Sequence, residues 1–205
     1  SDVQPIPPPR FIADAAPVEM GEIEVYSTQL FATTLRKHKL TLVYHPRTDE
    51  LLVHYRDGTR RGRFYLTSEA RDLFINSVPK YEELYQKREL VEKSRTNDVF
   101  GRFPVKLEWG GPSSYEARGT SSLKMGYLFR DQAPWLCLTV DKATNDLYSP
   151  STGLSIRDSV PKTFYFNRRM ASEFAELLNH DTLLSMVDSG SRDGLPIIQE
   201  DKDAF

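Results

Sequence analysis

Cysteine is almost missing from this sequence. Cys137 is the only one among 205 residues, which excludes an intramolecular disulfide and any cysteine-rich zinc site. Its setting, Trp135-Leu136-Cys137-Leu138, reads as a small buried apolar position rather than a reactive thiol. Net charge is also nearly absent: the formal value is -2, so no overall field draws the chain onto nucleic acid or an anionic membrane. No apolar run approaches the length that spans a bilayer.

The usual signatures of chemistry are missing too. None of His38, His45, His54 and His180 forms the i, i+4 pairing with a carboxylate that marks a helical zinc site, and strand histidines of this kind are expected to be exposed. There is no Gly-x-Ser-x-Gly elbow, and Gly119-Thr120-Ser121-Ser122 lacks the lysine and glycine spacing of a phosphate loop. Asp141, Asn145 and Asp146 crowd one turn without the central glycine of a calcium loop, so turn chemistry explains them more simply. The expectation is a non-enzymatic protein with no catalytic residues, no metal site and no cofactor.

Proline, by contrast, is concentrated at the start, at Pro5, Pro7, Pro8, Pro9 and Pro17. Residues 1–17 therefore read as an extended, proline-rich tether. Pro5, Pro8 and Arg10 fit a proline-rich recognition pattern, but such short matches are common and a linker is the preferred reading. A leader of this composition ahead of a folded domain leans the expected location toward an extracytoplasmic one. At the other end, glycine, serine and acidic residues describe a flexible tail over 188–205.

What organises the middle is a stretch that returns. Arg63-Phe64-Tyr65-Leu66-Thr67-Ser68-Glu69-Ala70-Arg71-Asp72-Leu73-Phe74 is echoed by Thr163-Phe164-Tyr165-Phe166-Asn167-Arg168-Arg169-Met170-Ala171-Ser172-Glu173-Phe174. Each copy is a short strand, a polar cap at Thr67 or Asn167, and a helix with apolar residues three and four apart. Upstream, Leu40-Thr41-Leu42 followed by Thr48-Asp49-Glu50-Leu51 matches Leu136-Cys137-Leu138 followed by Thr144-Asn145-Asp146-Leu147. A small insertion near Ser149-Pro150-Ser151-Thr152-Gly153 separates the two matches.

Strands are expected over 22–26, 39–45, 51–55, 61–66, 105–109, 123–130 and 135–140, with a short piece at Leu147-Tyr148. Pro79 should split the first helix into two pieces, the second reaching Lys93, and Leu183, Leu184 and Val187 extend the last helix. The expected fold class is thus α+β and internally duplicated. Two antiparallel β-rich repeats, about 20–94 and about 103–187, would each end in a helix and share one core within a domain of residues 18–187.

Four strands then a helix, used twice, resembles the element order of the PUR family of single-stranded nucleic-acid-binding proteins, with Phe64-Tyr65-Leu66-Thr67 like the end of such a repeat. The likeness is one of order and pattern over about two thirds of the chain, and it implies single-stranded nucleic-acid binding.

Alternation supplies a sheet face. With Phe64 and Leu66 inward, Arg63 and Tyr65 point to the other side, as does Tyr165 in the second copy, and Arg56, Arg60 and Arg61 add positive charge nearby. Arg61, Arg63, Tyr65 and Tyr165 are therefore the expected partner-binding residues. Arg168 and Arg169 stand in the first turn of a helix, where the dipole disfavours cations, so an acidic neighbour such as Asp158 or a bound anion should compensate them. The leading functional reading is a binding or scaffold protein offering this face to a protein partner or to itself. A single-stranded nucleic-acid binder, which the net charge disfavours, is the alternative, and an unrecognised enzyme comes third.

Overall fold

In the computed structural model, residues 15–29, 32–148, 151 and 158–189 are described. Most of the proline-rich leader, the Ser149-to-Gly153 turn apart from Ser151, and residues 190–205 lie outside them. Strands β1 (Val18–Thr28), β2 (Leu35–His45), β3 (Glu50–Asp57) and β4 (Arg60–Leu66) lead into helix α1 (Ser68–Gln86). Strands β5 (Gly101–Gly110), β6 (Ala117–Arg130), β7 (Ala133–Val140) and β8 (Lys162–Phe166) lead into α2 (Arg168–Leu178) and α3 (His180–Ser189).

The order of four strands and a helix, twice, is as the sequence reads, but the architecture is not. Each strand pairs antiparallel with the next, and β8 returns to β1, closing one eight-stranded barrel. The duplicated α+β fold is therefore wrong: the molecule is mostly sheet, and its two halves complete a single ring. The proposed match of β2 with β7 fails on topology. β2 is separated from β4 by β3, whereas β7 pairs directly with β8. In register it is β3 that answers β7, since Leu51↔Leu66 and Val53↔Phe64 correspond to Leu136↔Phe166 and Leu138↔Phe164. The sequence match misled because alternating Leu-x-Leu patterns mark any half-buried strand.

Turn chemistry sets the joints. Asp49 takes a positive φ at the end of the β2–β3 turn, where Tyr44 donates to its carboxylate at 2.6 Å. Gly58 supplies a positive φ in the two-residue turn after β3. Asp131 and Gln132 both adopt positive φ, the backbone of a tight hairpin that links β6 to β7 without glycine. Gly62 is required for a different reason, because a Cβ there would fall 2.3 Å from the Tyr55 ring.

The interior is filled. Phe64, Leu66, Phe164 and Phe166 point inward from β4 and β8, as their alternation demands, and all are fully buried. Phe74 of α1 and Phe174 of α2 pack on Phe166 with ring centroids 5.1 and 5.6 Å away, so the helices close the barrel end at which β4 and β8 finish. Thr67 and Asn167 cap α1 and α2 as expected, accepting from the amides of Ala70 and Met170. Fully buried Arg71 ties α1 to the sheet through the Asp49 carboxylate at 2.7 Å and the Leu66 carbonyl at 2.9 Å.

Several strands begin earlier than expected, β6 at Ala117 among them, and two elements differ in kind. α1 runs unbroken through Pro79 and stops at Gln86, with Arg88 at positive φ just beyond. Leu147-Tyr148 forms no strand; the only pairing outside the named strands, among the described residues, is an isolated bridge between Thr144 and Asp158. The closing seam is short. Among the described residues β1 meets β8 through Tyr26↔Tyr165 and Ser27↔Phe164, whereas β5 and β6 are in register from Gly101↔Met125 to Trp109↔Ala117.

Candidate functional site at the open end of the barrel

The face expected from alternation on β4 exists, but its charges are already engaged. Ladder pairing places Glu108 of β5 opposite Arg63. Arg63 donates to Glu108 through Nε at 3.0 Å, and the Tyr65 hydroxyl donates to the other oxygen of the same carboxylate. Burial pushes the Glu108 carboxyl upward, but the Tyr65 hydroxyl and the Arg63 guanidinium outweigh it and hold the group below the usual carboxylate range. Burial and this hydrogen bond push Tyr65 up to about 12. Lys106 stands 4.8 Å from the centre of the Tyr65 ring and Arg63 6.0 Å, so cations of the chain itself sit where a base would stack.

Tyr165 is not part of that face. It points outward from β8, four strands away around the ring, and is buried with Leu128, Trp135 and Cys137 in a separate outer cluster. Burial raises the Cys137 thiol, consistent with a packing role. Arg168 and Arg169 are answered within the chain, though not by Asp158: Arg168 pairs with Glu82 of α1 at 2.8 Å and lies over the Tyr85 ring, and Arg169 pairs with Glu173. Glu82 is accordingly half-buried rather than on a solvated helix face.

Arg61 is the member of the expected set that leads elsewhere. At the barrel end opposite the helices, the ends of β3 and β5 and the starts of β4 and β8 converge. Tyr55, Asp57, Arg61, Trp109 and Lys162 line a cleft of about 480 Å³. Buried Lys162 donates to the Thr28 carbonyl at 3.1 Å and lies 3.4 Å from the Asp57 carboxylate, bridging β8 to β1 and β3. A second cleft of about 660 Å³ shares Tyr55 and Arg61 with the first and adds His38, His54, Arg56 and Tyr115.

Polar groups here are incompletely satisfied. Four buried side-chain nitrogens among the described residues lack a hydrogen-bond partner: His38 Nε2, Arg61 Nε, Trp109 Nε1 and Arg130 Nε. The first three belong to residues lining the two clefts. An unpaired buried polar atom costs about 1–3 kcal/mol, and three such atoms fall beside these two clefts. The histidines are half-buried rather than exposed as expected. His38 Nδ1 contacts Ser27 Oγ at 3.3 Å, and burial, then Lys162, lowers its pKa. His54 Nδ1 meets the Tyr115 hydroxyl at 2.9 Å, and burial, then Arg63, lowers its pKa. Both rings are favoured in the neutral state at pH 7.

Sequence reasoning missed Asp57, Trp109, Lys162 and His38 as site residues. Trp109 stood out only as the end of a strand. No local signal reports that strands far apart in sequence finish at one opening, because that follows from closure of the ring. Among the described residues no group of three or more His, Cys, Asp or Glu side chains is gathered as a metal site needs, and no helix is long and apolar enough to cross a membrane.

Neither curated proteins nor solved structures include a match to this chain. One family model does match, over residues 17–185, a span that takes in the whole barrel and both helix-bearing junctions. The chain belongs to the family described as "Uncharacterised Treponema protein".

Proposed function

We propose that this is a non-enzymatic binding protein whose ligand is taken around Arg61, at the rim of the barrel end away from the helices, rather than farther along β4 at Arg63 and Tyr65. The observation that carries this reading is the gathering of three unpartnered buried nitrogens, on His38, Arg61 and Trp109, the last two of them donors, around two adjoining clefts. A ligand presenting acceptor atoms would relieve a cost that the free protein bears. The aromatic filling of the barrel supports a site at the mouth, since Phe64, Phe164 and Phe166 leave no deep chamber. The outer-face reading, with a protein or single-stranded nucleic acid as partner, has less support because Glu108 already occupies both Arg63 and Tyr65.

The test is a thermal-shift screen of small molecules, followed by titration of any stabilising compound into three proteins. Binding should weaken by about tenfold in Trp109→Phe, which keeps a ring and loses the indole N–H, and should be unchanged in Tyr65→Phe. A compound whose affinity follows Tyr65 and ignores Trp109 would move the site along β4 to Arg63 and Tyr65.

A further inference from the structure

The second cleft, lined largely by outward residues of β2, β3 and β4 at the rim, has a charge pattern that names its ligand more closely; this inference rests on the proposal of a binding site around Arg61 and deepens it. Its lining includes Lys37 and Lys39 of β2, Arg56 and Arg61 at the β3–β4 hairpin, His54 and Tyr115, with Arg61 5.5 Å from the centre of the Tyr115 ring. Glu22 is the one acid among its lining residues. It lies 3.6 Å from Lys39, while Glu24 outside the cleft lies 3.3 Å from Lys37. The two arginines have no such relief. Neither has a carboxylate within salt-bridge distance among the described residues, and Arg61 spends one guanidinium N–H on the Pro112 carbonyl. Ladder register makes this sharper, because Arg56 and Arg61 are directly opposite one another on adjacent strands. Like charges so placed repel unless something negative lies between them. Arg61 Nε is buried without an acceptor, and Nε2 of His38, which lines the same cleft, is buried without a partner.

We propose that this cleft is an oxyanion site, in which Arg56 and Arg61 hold the phosphate or carboxylate of a small ligand. Planar guanidinium groups suit both anions, and the shared chemistry is a charged group with two or more acceptor oxygens. That group could be carried by a free metabolite or by a lipid headgroup, which the experiment separates.

Calorimetric titration of the full chain with inorganic phosphate and with citrate is the first arm, and co-sedimentation with phosphatidylglycerol or phosphatidylcholine vesicles the second. Saturable binding should weaken by about tenfold in Arg56→Gln, an exposed position whose loss leaves the fold intact, and stay unchanged in Arg102→Gln, a remote cation on β5. Binding to phosphatidylglycerol alone, lost in Arg56→Gln, would support the site and assign the oxyanion to a headgroup. Three results would overturn the proposal: no saturable binding in either arm, equal weakening by Arg102→Gln, or binding confined to a single-stranded oligonucleotide. A neutral compound that binds in a Trp109-dependent, Arg56-independent way would sink the oxyanion site and leave the binding function standing.

Discussion

Glu108 decides what the outer face of β4 can do. Its partners lower its pKa in the folded protein below the ordinary value of 4.5. A carboxyl depressed on folding contributes stability that is present above its unfolded pKa and lost as pH falls through the folded one. Replacing it with glutamine should therefore cost about 1–2 kcal/mol near neutrality, and the gap to wild type should close as pH falls below about 4.5. Urea midpoints at pH 6 and pH 3 read this directly; a gap that stays constant would mean the carboxylate charge is not what holds Arg63 and Tyr65. At this scale the sequence was half legible. Period-two alternation gave the sides of Phe64, Arg63 and Tyr65 correctly. It could not show Glu108, whose strand pairs with β4 across a helix and more than forty residues, as the Arg63–Glu108 separation of 45 makes plain.

Among elements, the strand-to-helix junctions were the most legible part of the chain, because a cap is a local device: Thr67 and Asn167 serve amides three residues on. Asn167→Ala should cost on the order of 1 kcal/mol, seen as a lower denaturant midpoint. Helix α1 shows the limit of local rules. Pro79 removes one donor from the helix, yet Phe74, Val78 and Tyr81 bury a continuous face across it, and Ser77 donates to the Leu73 carbonyl at 2.6 Å beside the gap. Burial outweighs a local penalty of about 3 kcal/mol. Since Pro79 itself is exposed, Pro79→Ala should restore the missing bond and stabilise the protein. A net gain of about 1–2 kcal/mol is expected once the looser unfolded chain is counted, measurable by chemical denaturation. An unchanged or lower midpoint would show that α1 is bent to suit the proline.

At the scale of the whole molecule, strand positions and the order of four strands and a helix could be read, while closure could not. Alternation tells which side of a strand is buried but not whether the last strand returns to the first. The seam that closes the ring is its weakest ladder, with Tyr26↔Tyr165 and Ser27↔Phe164 reinforced by the Lys162 bond to Thr28. Amides of 26–28 and 164–165 should exchange with deuterium faster than those of 103–109, where β5 is held along its length by β6. Equal protection would mean the ring opens only with global unfolding. The same seam governs how the protein is made. A ribosome delivers β1 first and β8 close to the end of the described residues, so through most of synthesis the sheet has two bare edges, each able to recruit a strand from another nascent chain. Chains cut short of β8 keep those edges permanently and should accumulate as aggregates rather than as smaller soluble barrels.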